Sequence, residues 1–238
     1  MLVNRLTMES EPHCKNCGAV ADAHFCPQCG QSTRVAVPTV LSFLHDALGA
    51  LFSYDHKLWT TLRTLVTRPG QLTVDYAEGR RVRYLTPFQL FFWLQTITFV
   101  AYRAFFNTQT GAADVMSRDL LLVGGFMAVS LALLHARRRL PFLIHLVAAT
   151  HVWAFLMVLL LVEYTLVPHV ANLLLKWHVV AQPLSIGVFV TRSVQVILVF
   201  YLTRALQVIF GNPLGKAALK TVILFGLYQG FVSLVTLN

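Results

Sequence analysis

The hydrophobic pattern changes character along the chain. From Pro87 onward apolar residues run almost without interruption, in stretches of the roughly 20 residues that a helix needs to cross the hydrocarbon core of a bilayer. Five spans are predicted, at about 87–106, 118–136, 142–163, 184–205 and 217–237. Between residues 40 and 86 the pattern is helical but one-sided. Leu41, Leu44, Leu48, Leu51 and Phe52 recur at helical spacing, and so do Leu58, Leu62, Leu65 and Val66. Each of these runs is too short to span, so the segment predicts amphipathic helices lying on the membrane surface. The second is stopped by Pro69-Gly70 and a third, short one by Gly79. Residues 1–12 read as disordered, 13–31 as a separate cysteine module and 32–39, which contains Pro38, as a linker.

Composition supports a membrane protein. The chain has 238 residues, 56% of them hydrophobic and 12% charged, where a soluble domain carries about 25% charged residues. Its fold class is therefore read as all-α: an integral membrane bundle of about five helices, residues 87–238, behind an N-terminal cytoplasmic module. The formal charge of +9 is placed as topology rather than as a nucleic-acid surface. Arg80, Arg81 and Arg83 precede the first span, Arg137, Arg138 and Arg139 follow the second, and Arg204, Lys216 and Lys220 flank the last turn. The opposite connections, 107–117 and 164–183, hold only Lys176 in their interiors, which predicts the N-terminus inside and the C-terminus outside. The opening "MLVNRLTMESEPHC" lacks the apolar region of a secretory signal.

All four cysteines fall in "CKNCGAVADAHFCPQCGQ". Cys14, Cys17, Cys26 and Cys29 form two C-x-x-C-G knuckles, in which Gly18 and Gly30 let the backbone fold tightly round a metal. Four thiolates satisfy tetrahedral zinc and leave no open position, so the expected cofactor is a structural Zn²⁺ that holds together a module too small for a core of its own. Iron and a redox dithiol are the alternatives. His13 and His24 read as exposed neighbours of the ligands.

In "YAEGRRVRYLTP", Arg80, Arg81, Arg83 and Tyr84 stand directly before the first span. They read as a topology signal and as contacts to anionic lipid headgroups or another phosphate. The two cysteine knuckles, then "RTLVTRPGQLTVDYAEGRRVRYLTPFQLFF", then "HLVAATHVWAFLMVLLL" together resemble an uncharacterised bacterial membrane-protein family, domain of unknown function 3667. Its members share a zinc ribbon, a P-G...Y-x-x-G-x-R-x-x-Y-x-x-P segment and a few spans. Pro69, Gly70, Tyr76, Gly79, Arg81, Tyr84 and Pro87 match that segment, and the resemblance extends from Cys14 to about Gly211; "THVWAF" departs from the family's pattern. It implies a bacterial inner-membrane protein with this architecture and no transferable activity.

Within the predicted spans, Gln95, His151, Arg192 and Gln229 all fall near mid-bilayer. Polar groups at that depth are expected to face one another or a wet cavity. The carboxylates after Pro87 are Asp114, Asp119 and Glu163, all at the outer interface, which leaves Arg192 without an acid at its own depth. His145 and His151 occupy different faces of one helix and do not make a haem site.

No nucleophile elbow, H-E-x-x-H motif, P-loop or nucleotide-binding glycine fingerprint is present, and Asp75 and Glu78 read as salt-bridge partners of the nearby arginines. The sequence reading is thus a non-enzymatic adaptor or assembly factor whose ribbon docks a protein partner. An oligomeric transporter or channel for an anionic solute or lipid is the alternative, and a lipid-phosphate enzyme a third reading without an evident nucleophile. Anionic lipids, a ribbon partner and further copies of the chain are the expected associates; nucleic acid is not.

Overall fold

Pro69 and Gly70 divide what would otherwise be one long helix, because Gly70 takes a left-handed conformation (φ 82°) that side chains disfavour. A computed structural model describes residues 13–21, 23–33, 57–106, 125–138, 140–176 and 183–236. Residues 1–12, most of the linker, the amphipathic stretch around Leu41–Phe52 and the connection 107–117 lie outside the described residues. Those described form seven α-helices: α1 (Leu58–Thr67), α2 (Gln71–Ala77), α3 (Pro87–Phe106), α4 (Gly125–Leu134), α5 (Phe142–Lys176), α6 (Pro183–Phe210) and α7 (Leu214–Thr236). A 3₁₀ turn, Ala136–Arg138, follows α4, and isolated bridges pair His13 with Val20 and Phe25 with Ser32 in the cysteine module.

The start of α3 shows how local sequence sets an element. Thr86 caps it, its hydroxyl accepting from the Gln89 amide at 3.3 Å while the Gln89 side chain accepts from the Thr86 amide at 3.0 Å. This is a reciprocal capping box, and Pro87 sits at the first helical position, where its missing N–H is harmless.

Cross-helix contacts give the helix directions. Thr98 donates to the Met157 carbonyl and Tyr102 packs on Tyr164, so α3 and α5 run parallel. Phe155 stacks on Tyr201 and Thr191 donates to Glu163, so α5 and α6 run antiparallel. Phe126 stacks on Phe231 while Lys220 donates to the Leu134 carbonyl, so α4 and α7 run antiparallel too. The starts of α3, α5 and α7 and the ends of α4 and α6 therefore share one end of the bundle. Fully buried Ala148, Ala154, Ala205 and Ala217 let the helices approach closely.

Among the described residues, two stretches are long and apolar enough to cross a membrane, Phe142–Val170 and Phe189–Phe210. Helices α3 and α7, of 20 and 23 residues, have the length but are interrupted by Gln95 and Arg103 and by Lys216, Lys220 and Gln229. Helix α5 continues 13 residues past the predicted end at 163, through Pro168 to Lys176. The loss of one amide at Pro168 is flanked by Thr165 and His169 side chains bonded to the Leu161 and Thr165 carbonyls. Phe200, Val196, Val222, Leu219 and Leu166 all remain exposed, so the outward faces of α5 to α7 are apolar as well.

The surface-helix expectation for residues 58–79 meets a different arrangement. Helix α1 is one-sided, exposing Trp59 and Val66 while burying Thr61 and Leu65, but α2 is buried: Leu72, Thr73, Asp75, Tyr76 and Ala77 are all inaccessible. It packs against both α5 and α6. A β-carbon at Gly70 would lie 3.0 Å from the Ala205 carbonyl oxygen and 3.1 Å from its Cα, so the absent side chain is what lets α2 sit this close. Gly70→Ala should lower the thermal stability of the detergent-solubilised protein by roughly 2 kcal/mol, combining positive-φ strain with backbone contact. Gly226→Ala, where a β-carbon meets nothing within 4 Å, should be neutral or slightly stabilising in the same assay.

Candidate functional site

The cysteine module consists of two superposable knuckles. Gly18 N–H donates to Cys14 O and Gly30 N–H to Cys26 O, with Gly18 and Gly30 at φ 78° and 72°. Cys14 N–H then donates to Ala19 O, and Cys26 N–H to Gln31 O. The four sulfurs lie within 4.8 Å of one another, with Cys14–Cys29 at 3.6 Å and Cys17–Cys26 at 3.5 Å. These separations are far too long for disulfides, and they approach the ~3.8 Å edge of a sulfur tetrahedron around a metal at ~2.3 Å. The four cysteines can hold a metal ion.

Backbone amides tune the set. Burial pushes the Cys14 thiol up, but the N–H groups of Cys17 and Asn16 directed at its sulfur outweigh this and bring it down to about 7. The Ala19 amide lowers Cys17, yet desolvation and the three neighbouring thiols push it up to about 12. Four sulfurs so close cannot all ionise without a cation between them, which is the charge balance a divalent metal supplies.

The knuckles differ at the residue after glycine. Ala19 ends the first, whereas Gln31 ends the second and reaches the bundle. Its amide donates to the Gly79 carbonyl and its oxygen accepts from the Arg81 and Val82 amides at 3.2 and 3.4 Å. Gln31 is buried, so this joint excludes water. The receiving turn is shaped by Gly79, in the left-handed region at φ 88°.

Beneath the turn lies a charged knot centred on Asp75, which is buried at the end of α2. One carboxylate oxygen accepts from Gln71 at 2.7 Å and from Arg80, and the other from the Tyr84 hydroxyl at 2.8 Å. Arg80 also pairs with Glu78 at 2.5 Å. Burial lowers the Arg80 guanidinium, but the bond and charge of Asp75, with Glu78 behind, outweigh it and raise it overall; burial and then Asp75 raise the Tyr84 phenol. Arg81 stacks over the Tyr76 ring at 4.7 Å and donates to the Tyr76 carbonyl, and Arg83 lies 5.7 Å from the Tyr84 ring. The arginines expected to face lipid headgroups thus have partners within the chain, and Arg80 and Arg81 are built into the knot.

The polar layer anticipated inside the bundle does not converge. His151 bonds through Nδ1 to Thr73 of α2 at 2.9 Å, and Arg192 is exposed and donates to Gln195 at 3.2 Å. The Gln95 side-chain oxygen is buried without a hydrogen-bond partner, and Gln229 is half-buried. Among the described residues no hydrogen bond joins any two of these four side chains, and His151 and Arg192 each bond a residue outside the set. The structure instead joins two histidines from separate segments. His135 stacks on Phe210 at 3.7 Å, and His145 lies 5.7 Å from the same ring.

Sequence reasoning missed Gln31, Thr73 and Thr61. The fully buried Thr61 hydroxyl accepts from the Leu85 amide at 3.0 Å and ties α1 to the approach to α3. The one available signal was that Gln31 breaks the near-identity of the knuckles. Residues 55–99 match the model of a protein family described as "Protein of unknown function (DUF3667)". The matched segment contains α1, α2, the Asp75 knot and most of α3. No curated protein and no solved structure matches the chain.

Gln31→Ala should leave metal content unchanged while raising amide hydrogen exchange in the 79–82 turn, a separation of docking from metal binding that exchange mass spectrometry with metal analysis reads directly. Asp75→Ala should lower stability by roughly 3 kcal/mol, since it removes the buried carboxylate that Gln71, Arg80 and Tyr84 share and leaves Arg80 only Glu78 as an acid partner. Asp75→Asn, which retains an acceptor for Tyr84, should be the milder variant in thermal unfolding.

Proposed function

We propose that the protein is an adaptor or assembly factor of a bacterial inner membrane, with a zinc ribbon held on the cytoplasmic face of a five-span bundle. The observation that carries this reading is the Gln31 joint: it fixes the ribbon to the knot while Val20 and Phe25 stand 58% and 64% exposed on the ribbon. A rigidly held module with outward apolar side chains suits recognition of a protein partner. Zinc fits the four-sulfur set and the absence of an open position for chemistry. Membrane residence is supported by the two long apolar stretches and by the apolar outward faces of α5 to α7.

The sidedness follows from charge. Arg80, Arg81, Arg83, Arg137, Lys216 and Lys220 gather at the end of the bundle where α3, α5 and α7 begin, which supports an inside position for that end. A transporter of anions, acting as an oligomer, is the second reading, favoured by the exposed Arg192 guanidinium, whose described partner is the neutral side chain of Gln195. It has less support because the cavity among Met127, Val152, Trp153 and Tyr228, between the helices, is apolar and holds about 20 Å³.

In cells lacking the protein, Val20→Asp combined with Phe25→Asp should fail to restore function while retaining one zinc per chain by native mass spectrometry, and Arg192→Leu should restore it. The opposite pattern, loss with Arg192→Leu and rescue by the ribbon variant, would favour transport.

A further inference from the structure

At the basic end of the bundle, the turn after α4 and the start of α7 enclose a cavity of about 520 Å³ that none of the preceding roles uses. Among the described residues its polar lining is His135, Arg137, Asn212, Lys216 and Lys220: three cations and no carboxylate. The inner wall is fixed and uncharged. His135 Nδ1 lies 3.0 Å from the Leu131 carbonyl, which can only accept, so Nδ1 carries the proton and Nε2 accepts from the Asn212 amide at 3.1 Å. Both residues are buried.

The cations stand around this wall. Lys220 is positioned by a bond from Nζ to the Leu134 carbonyl at 2.9 Å, while Arg137 and Lys216 are exposed and make no hydrogen bond or ion pair among the described residues. This contrasts with Arg80 and Arg81, whose guanidiniums are committed to the Asp75 knot and to Tyr76. A concave site with three positive charges and no internal acid attracts an anion bearing several acceptor oxygens.

The apolar part of the lining narrows the class. Leu133 and Leu219, 73% and 63% exposed, border the cations on the outward side. A free phosphate would leave these leucines without a role, whereas a phospholipid places its phosphate on the cations and its acyl chains along the leucines. We infer that the cavity between the α4 turn and the start of α7 binds the headgroup phosphate of an anionic phospholipid. The inference rests on the membrane reading proposed above and goes beyond it by naming a ligand class and a site.

The test is native mass spectrometry of the full chain in mild detergent supplemented with phosphatidylglycerol, with phosphatidylcholine, or with phosphatidylglycerol plus millimolar inorganic phosphate. Wild type should retain phosphatidylglycerol in preference to phosphatidylcholine, and inorganic phosphate should not displace it. The double variant Arg137→Gln/Lys216→Gln should bind phosphatidylglycerol roughly 30-fold more weakly, as two headgroup cations are lost. Lys216→Gln alone, at an exposed position, should lose roughly fivefold and guards against a double variant that does not fold. Arg204→Gln, an equal charge change on an exposed residue outside the cavity, should keep wild-type binding. Unchanged binding in the cavity variants, an equal loss in Arg204→Gln, or displacement by inorganic phosphate would each overturn the lipid site. Alkaline extraction separates this from the membrane reading: release of wild type into the supernatant defeats that reading, while membrane retention with unselective lipid binding defeats the site alone.

Discussion

The close approach of Gly70 to the Ala205 backbone is the constraint on which the arrangement depends. With no β-carbon to hold the chains apart, α2 seats against α6 and α5 instead of lying on the surface. Once there, its side chains have nowhere to go but into defined partnerships. Thr73 meets His151, Asp75 gathers Gln71, Arg80 and Tyr84, and the chain leaving α2 presents the turn that receives Gln31. A seven-residue helix is far too short to be stable alone. It is held by burial on both sides and by the charged knot at its end.

The family match coincides with this region. The matched residues 55–99 omit the cysteines and most of the bundle, and include the elements that join ribbon to helices. Pro69, Gly70, Tyr76, Gly79, Arg81, Tyr84 and Pro87 each have a mechanical role there: a helix break, a close seat, a stacking platform, a left-handed turn, a guanidinium over a ring, a hydroxyl on Asp75 and a helix start. Buried charge networks of this kind are costly when half-satisfied, so the knot works as a unit. Its geometry positions the cysteine module, on which Val20 and Phe25 stay exposed.

Charge is divided between two settings at the same end of the molecule. Around Asp75, guanidiniums are neutralised by acids or laid on aromatic rings. Around His135 and Asn212, Arg137 and Lys216 stand exposed beside exposed leucines, in a cavity whose described lining holds no carboxylate. Identical residue types thus serve as framework in one place and as an anion-attracting surface in the other, a distinction made by the neighbours.

Much was legible from residue spacing alone. The four cysteines, the two glycines behind them, the helix break at Pro69-Gly70, the helix start at Pro87 and the long apolar runs of α5 and α6 are local or periodic signals, and local interactions suffice to produce them. The burial of α2, the Gln31 joint, the scattering of Gln95, His151, Arg192 and Gln229, and the meeting of His135 with Phe210 and Asn212 were decided only in the tertiary structure. Each of these links residues far apart in the chain and depends on how helices rotate and how closely their backbones approach. Hydropathy carries depth and length, but it contains no term for rotation, and so the sequence determined which segments are apolar helices while packing determined which polar groups meet.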